Sequence, residues 1–253
     1  MPVPHRRIRG RIHYTSDKPE RKGVERGREY FTITLHGDGS STLRAYTEID
    51  DAPNVMRDVT LSRGPDRKPT DCFVRLSVGD EFRGSSWYQF TDREATCQGH
   101  TTHEGRISQR FPLPRALGAF GTHPIQGDAW LTNIVDVSKG PGIQCYTDVM
   151  ICSLDHRGAT GPTLMPHPRG VTIRFVGRER ISVQAGSFDA LHFRFAESTD
   201  DGSGETRNEP GKHPPYDLWC TDDDDRIFLL AHVSGYMMTR YELTEYESLP
   251  ARP

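Results

Sequence analysis

The sequence contains no apolar run near the ~20 residues that a membrane-crossing helix needs, so no such span is expected. The opening residues Met1–Arg7 are not followed by the apolar segment of a secretory signal, and the expected compartment is the cytoplasm. The five cysteines, Cys72, Cys97, Cys145, Cys152 and Cys220, are odd in number and scattered, with no pair at Cys-x-x-Cys spacing. That pattern excludes a disulfide frame and reads as reduced core residues. No glycine-rich phosphate loop leads into a helix, which argues against dinucleotide and P-loop folds. No Gly-x-Ser-x-Gly turn is present either: the stretches 84–87 and 233–236 do not match it. The formal net charge is only −3, too small for any overall attraction to nucleic acid or an anionic membrane. Arg6, Arg7, Arg9 and Arg11 alternate with Ile8, Gly10 and Ile12, and read as the solvated side of a first strand.

Hydrophobic residues make up 34% of the chain. The usual figure is about 45–50% with glycine counted, and a deficit suits a sheet with one face in water. What the chain does have is a period of two. Val171, Ile173 and Phe175 alternate with Thr172 and Arg174, Leu191, Phe193 and Phe195 with His192 and Arg194, and Phe31, Ile33 and Leu35 with Thr32, Thr34 and His36. Successive strand side chains point to opposite faces, so each segment predicts a strand with one buried side. Strands are expected at 29–36, 42–50, 54–63, 71–78, 82–90, 95–103 and 106–111, with short polar or glycine-bearing turns between them. They resume at 129–137, 144–155, 171–178, 181–184, 189–198, 216–221, 226–234 and 236–247. Residues 112–128 are apolar and fit neither strand nor helix, and read as a lid loop. Residues 199–213 are polar and glycine-rich and read as a mobile loop. No composition shift marks a boundary, and 253 residues fit a single all-β domain. The predicted fold is one large antiparallel sheet rolled into a barrel or open spiral, lipocalin-like or β-roll, with few or no helices.

The run Glu179–Phe195, with Ala185-Gly186-Ser187-Phe188-Asp189 at its turn, resembles a strand–turn–strand of bacterial families of unknown function built as an open β-spiral. Asp217-Leu218-Trp219-Cys220 and Tyr241-Glu242-Leu243-Thr244 are similar to the closing strands of those proteins. The resemblance covers residues 170–247 and its motif is structural. It implies the fold and leaves function open. Many members of those families are envelope proteins with leaders, which the opening residues here do not show.

Chemistry is expected first in the irregular loop. His123 precedes Pro124, with Asp128 five residues on and Trp130 just after. A histidine titrates near neutrality, and a neighbouring carboxylate would fix its tautomer. The plain alternative is a His-Pro turn capped by Asp128. Arg57 and Asp58 are adjacent on a strand, so one of them should point inward, where a buried charge needs a partner. The alternative leaves both in water at a strand end. Arg106 and Gln109 raise the same question on a later strand. Cys97, His100 and His103 have ligand-like spacing, but residues three apart on a strand diverge, so no metal is expected. The acidic run Asp222–Asp225 lacks the spacing of a calcium loop and reads as a hairpin turn. Trp87, Trp130, Trp219, Tyr88, Tyr146, Tyr216 and Tyr236 lie on or near predicted strands, either as core or as walls for a flat apolar ligand.

These residues suggest a cofactor-independent lyase (retro-aldol cleavage included) or isomerase acting on a small apolar or aromatic molecule. His123 would be general base or acid, Asp128 its orienting partner and Arg57 the oxyanion stabiliser. Asp58 and Tyr146 would be further proton carriers, with Trp130, Trp219, Tyr216, Arg106 and Gln109 contacting substrate. The alternatives are a non-catalytic carrier of a hydrophobic ligand and a structural or interaction module. No nucleic acid or membrane partner is expected.

Overall fold

In the computed structural model, which describes residues 5–167, 170–196 and 214–249, the chain forms one 14-stranded sheet and a small three-stranded one. The loop predicted at 199–213 lies outside the described residues. The first half is a run of hairpins: β1 (Arg6–Ser16), β2 (Glu25–Leu35), β3 (Ser41–Ile49), β4 (Val55–Arg63), β5 (Pro69–Val78), β6 (Glu81–Phe90), β7 (Glu94–Thr101) and β8 (Gly105–Pro112). Next come β9 (Ala119–Gly121), helix α1 (Ile125–Leu131), β10 (Gly142–Tyr146), β11 (Val149–Ile151) and β12 (Met165–Pro166). The second half adds β13 (Val171–Val183), β14 (Gly186–Ala196), β15 (Tyr216–Thr221), β16 (Phe228–Val233) and β17 (Thr239–Leu249).

The large sheet runs β10-β13-β14-β15-β16-β17-β1-β2-β3-β4-β5-β6-β7-β8, antiparallel at every step. The two ends of the chain meet at its centre, where Ile8 pairs with Ser248 and Tyr14 with Tyr241. The sheet rolls but does not close, since β8 and β10 stay at opposite edges. Gln109 on β8 uses both ends of its amide on the Leu164 backbone, giving 3.1 Å to the carbonyl and taking 2.7 Å from the N–H. That pair of bonds ties the segment just before β12 to the inner face of edge strand β8.

The period of two holds along each strand. On β4, Val55, Arg57, Val59, Leu61 and Arg63 are buried, while Met56, Asp58, Thr60 and Ser62 are not. Gly10 on β1 lies opposite Phe31 of β2, and a β-carbon at Gly10 would sit 2.3 Å from the Phe31 ring. Glycine is what lets that ring lie against the backbone.

Two expectations are corrected between β8 and β10. The segment 112–128 is not one irregular loop: it supplies β9, paired in parallel with β11, and the start of α1. The strand predicted at 129–137 is instead the end of α1 followed by two 3-10 turns. The reason is burial on every side but that of Asp128. Ile125, Gln126, Gly127, Ala129, Trp130 and Leu131 are all buried, so the helix has no polar stripe and no 3.6-residue period to read. Among the cysteines, Cys72, Cys97, Cys152 and Cys220 are buried free thiols, but Cys145 is exposed on edge strand β10 and is not a core residue.

Candidate functional site

Helix α1 lies across the interior and is tied in by side chains that act as backbone partners. Gln126, fully buried, takes a hydrogen bond from Phe228 N at 3.0 Å and gives one to Arg226 O at 2.9 Å. The Trp130 indole N–H donates to Asp225 O at 3.1 Å. The start of the helix is held by Glu29 of β2, whose carboxyl is 0% exposed. It accepts from Ile125 N at 2.6 Å, Gln126 N at 3.1 Å and the Tyr14 hydroxyl at 2.9 Å.

Around that carboxyl sits a cluster of acids and phenols. Asp128, one turn along α1 and half-buried, accepts from the Tyr216 hydroxyl at 3.1 Å. Tyr14 and Tyr241 meet edge to face with centroids 4.7 Å apart, and Phe195 stacks on Tyr216 at 5.1 Å. Burial pushes Glu29 up to about 7, with its three donors pulling the other way. Burial pushes Asp128 up to about 8; the Tyr216 hydrogen bond opposes this and the nearby Glu29 charge adds to it. Two carboxyls with such values in one site are poised to give and take protons near neutral pH. Burial, then the Asp128 charge, holds the Tyr216 phenol well above its ordinary value, so it stays a hydrogen-bond donor.

The sequence-predicted residues fall into separate places. Arg57 is the inward member of its pair, 1% exposed, and Asp58 lies on the outer face. The Arg57 guanidinium donates to the Cys152 thiol at 3.2 Å, to Thr122 O at 3.5 Å and to Gly158 O. Burial raises the Cys152 thiol above its usual range, while Arg57 pulls it down. His123, half-buried, takes a left-handed backbone (φ 75°), a conformation that costs a side chain of this kind on the order of 1 kcal/mol or more. Its Nε2 lies 3.2 Å from Ser153 O. Arg57 thus bonds to both of the segments, Thr122-His123 and Cys152-Ser153, that the His123–Ser153 contact joins. The structure pairs Asp128 with Tyr216 rather than with His123.

Trp130 faces inward, but Trp219 is on the outer side of β15, stacked on His192 at 4.0 Å and donating to Glu179 at 2.7 Å. Arg106 is exposed on β8, and Tyr146 sits on edge strand β10 with its hydroxyl on Gln144 at 2.7 Å. Trp219, Arg106, Asp58 and Tyr146 are therefore not brought to the acid cluster. Cys97 points inward and His100 outward, as strand parity requires, while His103 is exposed in the turn after β7. Among the described residues no group of three His, Cys, Asp or Glu side chains could hold a metal.

Glu29, Tyr14, Tyr241 and Arg63 were not among the predicted site residues. The signal for two of them is parity: Glu29 shares a face with Phe31 and Ile33, and Arg63 with Val59 and Leu61. Their partners come from strands far away in sequence.

The tight seat of Arg57 makes a direct prediction. Gly158 has φ 68°, and a β-carbon there would lie 2.8 Å from the Arg57 guanidinium. Gly158→Ala should cost about 1–3 kcal/mol from backbone strain and the clash. By calorimetry that is a fall in Tm of about 3–10 °C. An unchanged Tm would mean that the arginine is not held as described.

Together these features define an open β-roll plugged by a buried helix, with an acid–phenol cluster where helix and sheet meet. The chain is similar to a solved beta-barrel-like protein of domain of unknown function DUF1849 from Brucella abortus, at 15% identity and a TM-score of 0.55, over 98% of each chain. That likeness concerns the fold. The sequence matches no protein-family description, and no curated protein matches it. No helix among the described residues is long and apolar enough to cross a membrane.

Proposed function

We propose that the roll is a cofactor-independent enzyme of the lyase or isomerase kind, moving a proton on a small apolar or aromatic molecule, with Asp128 as its proton-transfer group. The observation that carries this reading is the Asp128–Tyr216 pair: a half-buried carboxyl shifted to about 8 beside a phenol that stays protonated. In the retro-aldol direction, the Asp128 carboxylate takes the substrate hydroxyl proton. The electron pair of the breaking C–C bond passes to the carbon next to the carbonyl, and the proton returns there. Tyr216, whose one O–H is given to Asp128, holds that carboxylate in position. No electron leaves or enters the substrate. In isomerisation the same carboxylate removes and returns a proton next to a carbonyl.

The test is a panel of small aromatic β-hydroxy carbonyl compounds and ketones incubated with the protein in D2O and followed by proton NMR. Cleavage or deuterium uptake is expected, with a rate that rises to a midpoint near pH 8. Asp128→Asn should lower it about 100-fold or more, the usual contribution of a positioned acid or base. Turnover that survives Asp128→Asn removes Asp128 from the role.

Two other readings have one observation each. A carrier is favoured by the apolar surroundings of the cluster, Phe195 stacked on Tyr216 in particular. It predicts a hydrophobic molecule released on denaturation and found by mass spectrometry. An interaction module is favoured by Phe73 and Trp87, cross-strand neighbours on the outer face that are 42% and 45% exposed.

A further inference from the structure

On the other side of α1 a shallow recess is lined by Arg63, Arg67, Phe120, Gly127, Trp130 and their apolar neighbours. Arg63 is 5% exposed, and its guanidinium lies 3.5 Å from the centre of the Trp130 ring. Its Nε donates to Ser41 Oγ at 2.9 Å, but Nη1 is buried with no hydrogen-bond partner. No carboxylate among the described residues forms an ion pair with it. The acids nearby are each engaged elsewhere: Asp148 beside Gly118 with Arg115 at 3.2 Å, Asp224 with Arg67 at 2.7 Å, and Asp225 with Arg6. Burial pulls Arg63 down to about 9, with Arg67 and Arg226 acting in the same direction and Asp225 against it.

A buried guanidinium without a counter-charge is costly, and one that lines an opening is the usual place for an anion to supply it. We infer that this recess is a binding site for the carboxylate of a small organic acid, held by the Arg63 guanidinium that lines it, with Arg67 at the rim. Trp130 holds the guanidinium from one side. The lining has no acidic side chain to repel an anion. Its remaining walls, Leu61, Pro69 and Leu131, are apolar, which suits an acid with a hydrocarbon body. The lining shares no residue with the Asp128–Tyr216 pair, and the inference does not depend on that pair.

The test is titration of the whole protein with sodium benzoate and with sodium acetate, read by calorimetry and by the fluorescence change expected of Trp130, with inorganic phosphate as the comparison anion. Saturable benzoate binding is expected, weakening as sodium chloride is raised. Arg63→Met should weaken it at least tenfold. Arg67→Ala, at the exposed rim, should weaken it about threefold and provides the test if the Arg63 variant fails to fold; charge-pair energies at exposed sites are of that order. Benzoate affinity unchanged in a folded Arg63→Met, or in Arg67→Ala when that is the only folded variant, overturns the assignment. Absence of saturable binding by either acid does so too. Binding of phosphate with none of benzoate or acetate overturns the carboxylate assignment in particular. Loss of benzoate binding in Arg63→Met with Asp128-dependent turnover intact would establish two separate sites.

Discussion

Glu29→Ala should lower the stability of the protein by about 3–5 kcal/mol, the usual range when one partner of a buried polar cluster is removed. The carboxyl holds three donors at once, from Ile125, Gln126 and Tyr14, and no water reaches it in a side chain 0% exposed. Each donor left unpaired in a dry interior costs about 1–3 kcal/mol. Removal also relieves the cost of burying the carboxylate, so the three losses do not simply add. For a chain of this size, about 2–4 °C of Tm is lost per kcal/mol, which gives a fall on the order of 10 °C. Because α1 begins at these contacts, the near-ultraviolet circular dichroism of Trp130 should change as well. Glu29→Gln keeps one acceptor but sets an amide against a backbone donor, and should lie between the two. A Tm within 2 °C of the parent for Glu29→Ala would show that α1 does not rest on this carboxyl.

The second large effect is on pH dependence. Glu29 is raised from 4.5 to about 7 and Asp128 from 3.8 to about 8 in the folded protein. Below about pH 3 both groups are protonated whether the chain is folded or not, and their contribution to stability is complete. As pH rises, the unfolded chain releases these protons first and the folded chain keeps them. Stability should therefore fall between about pH 4.5 and 8 and then level off. Each group contributes a slope of up to about 1.4 kcal/mol per pH unit within its window. For Glu29 the whole window amounts to about 3 kcal/mol.

The acids shifted downward, such as Asp217 beside His192 and Arg194 or Asp51 beside Arg26 and Arg21, act at lower pH. Their stabilisation is present above the ordinary carboxylate value and is lost as pH falls through their lowered ones. His156, held down by burial, opposes the main trend between its lowered value and 6.5. Urea unfolding from pH 5 to 9 measures the sum. Asp128→Asn should flatten the upper part of the curve. A stability that stays level or rises from pH 5 to 8 would mean that the two carboxyls ionise freely in the fold.

Much of this architecture is legible in the sequence because strand parity is local. Phe31, Ile33 and Leu35, or Val171, Ile173 and Phe175, announce a buried face with no knowledge of what it faces. The same rule places Arg57 inside with Val55, Val59 and Leu61, and leaves Asp58 outside. Rolled, largely antiparallel architecture follows from many such segments joined by short turns. Helix α1 was not legible: with every side but Asp128 buried, it lost the polar stripe by which a helix is recognised in a sequence.

The acid–phenol cluster was legible only in part. Asp128 and Tyr216 could each be named from their own surroundings, but not as a pair. The cluster draws Tyr14 from β1, Glu29 from β2, Asp128 from α1, Tyr216 from β15 and Tyr241 from β17. The recess likewise joins Arg63 at the end of β4 to Trp130 of α1. Which face of each strand is buried is set by neighbours two residues away, and the sequence by itself determined it. Which buried groups share a site depends on how far the sheet rolls before its edges stop, and where the helix crosses it. Only the tertiary structure decided that, because burial in the fold, with the Glu29 charge adding to it and the hydrogen bond from Tyr216, 88 residues away, opposing it, is what lifts Asp128 from an ordinary acid to one pushed up to about 8.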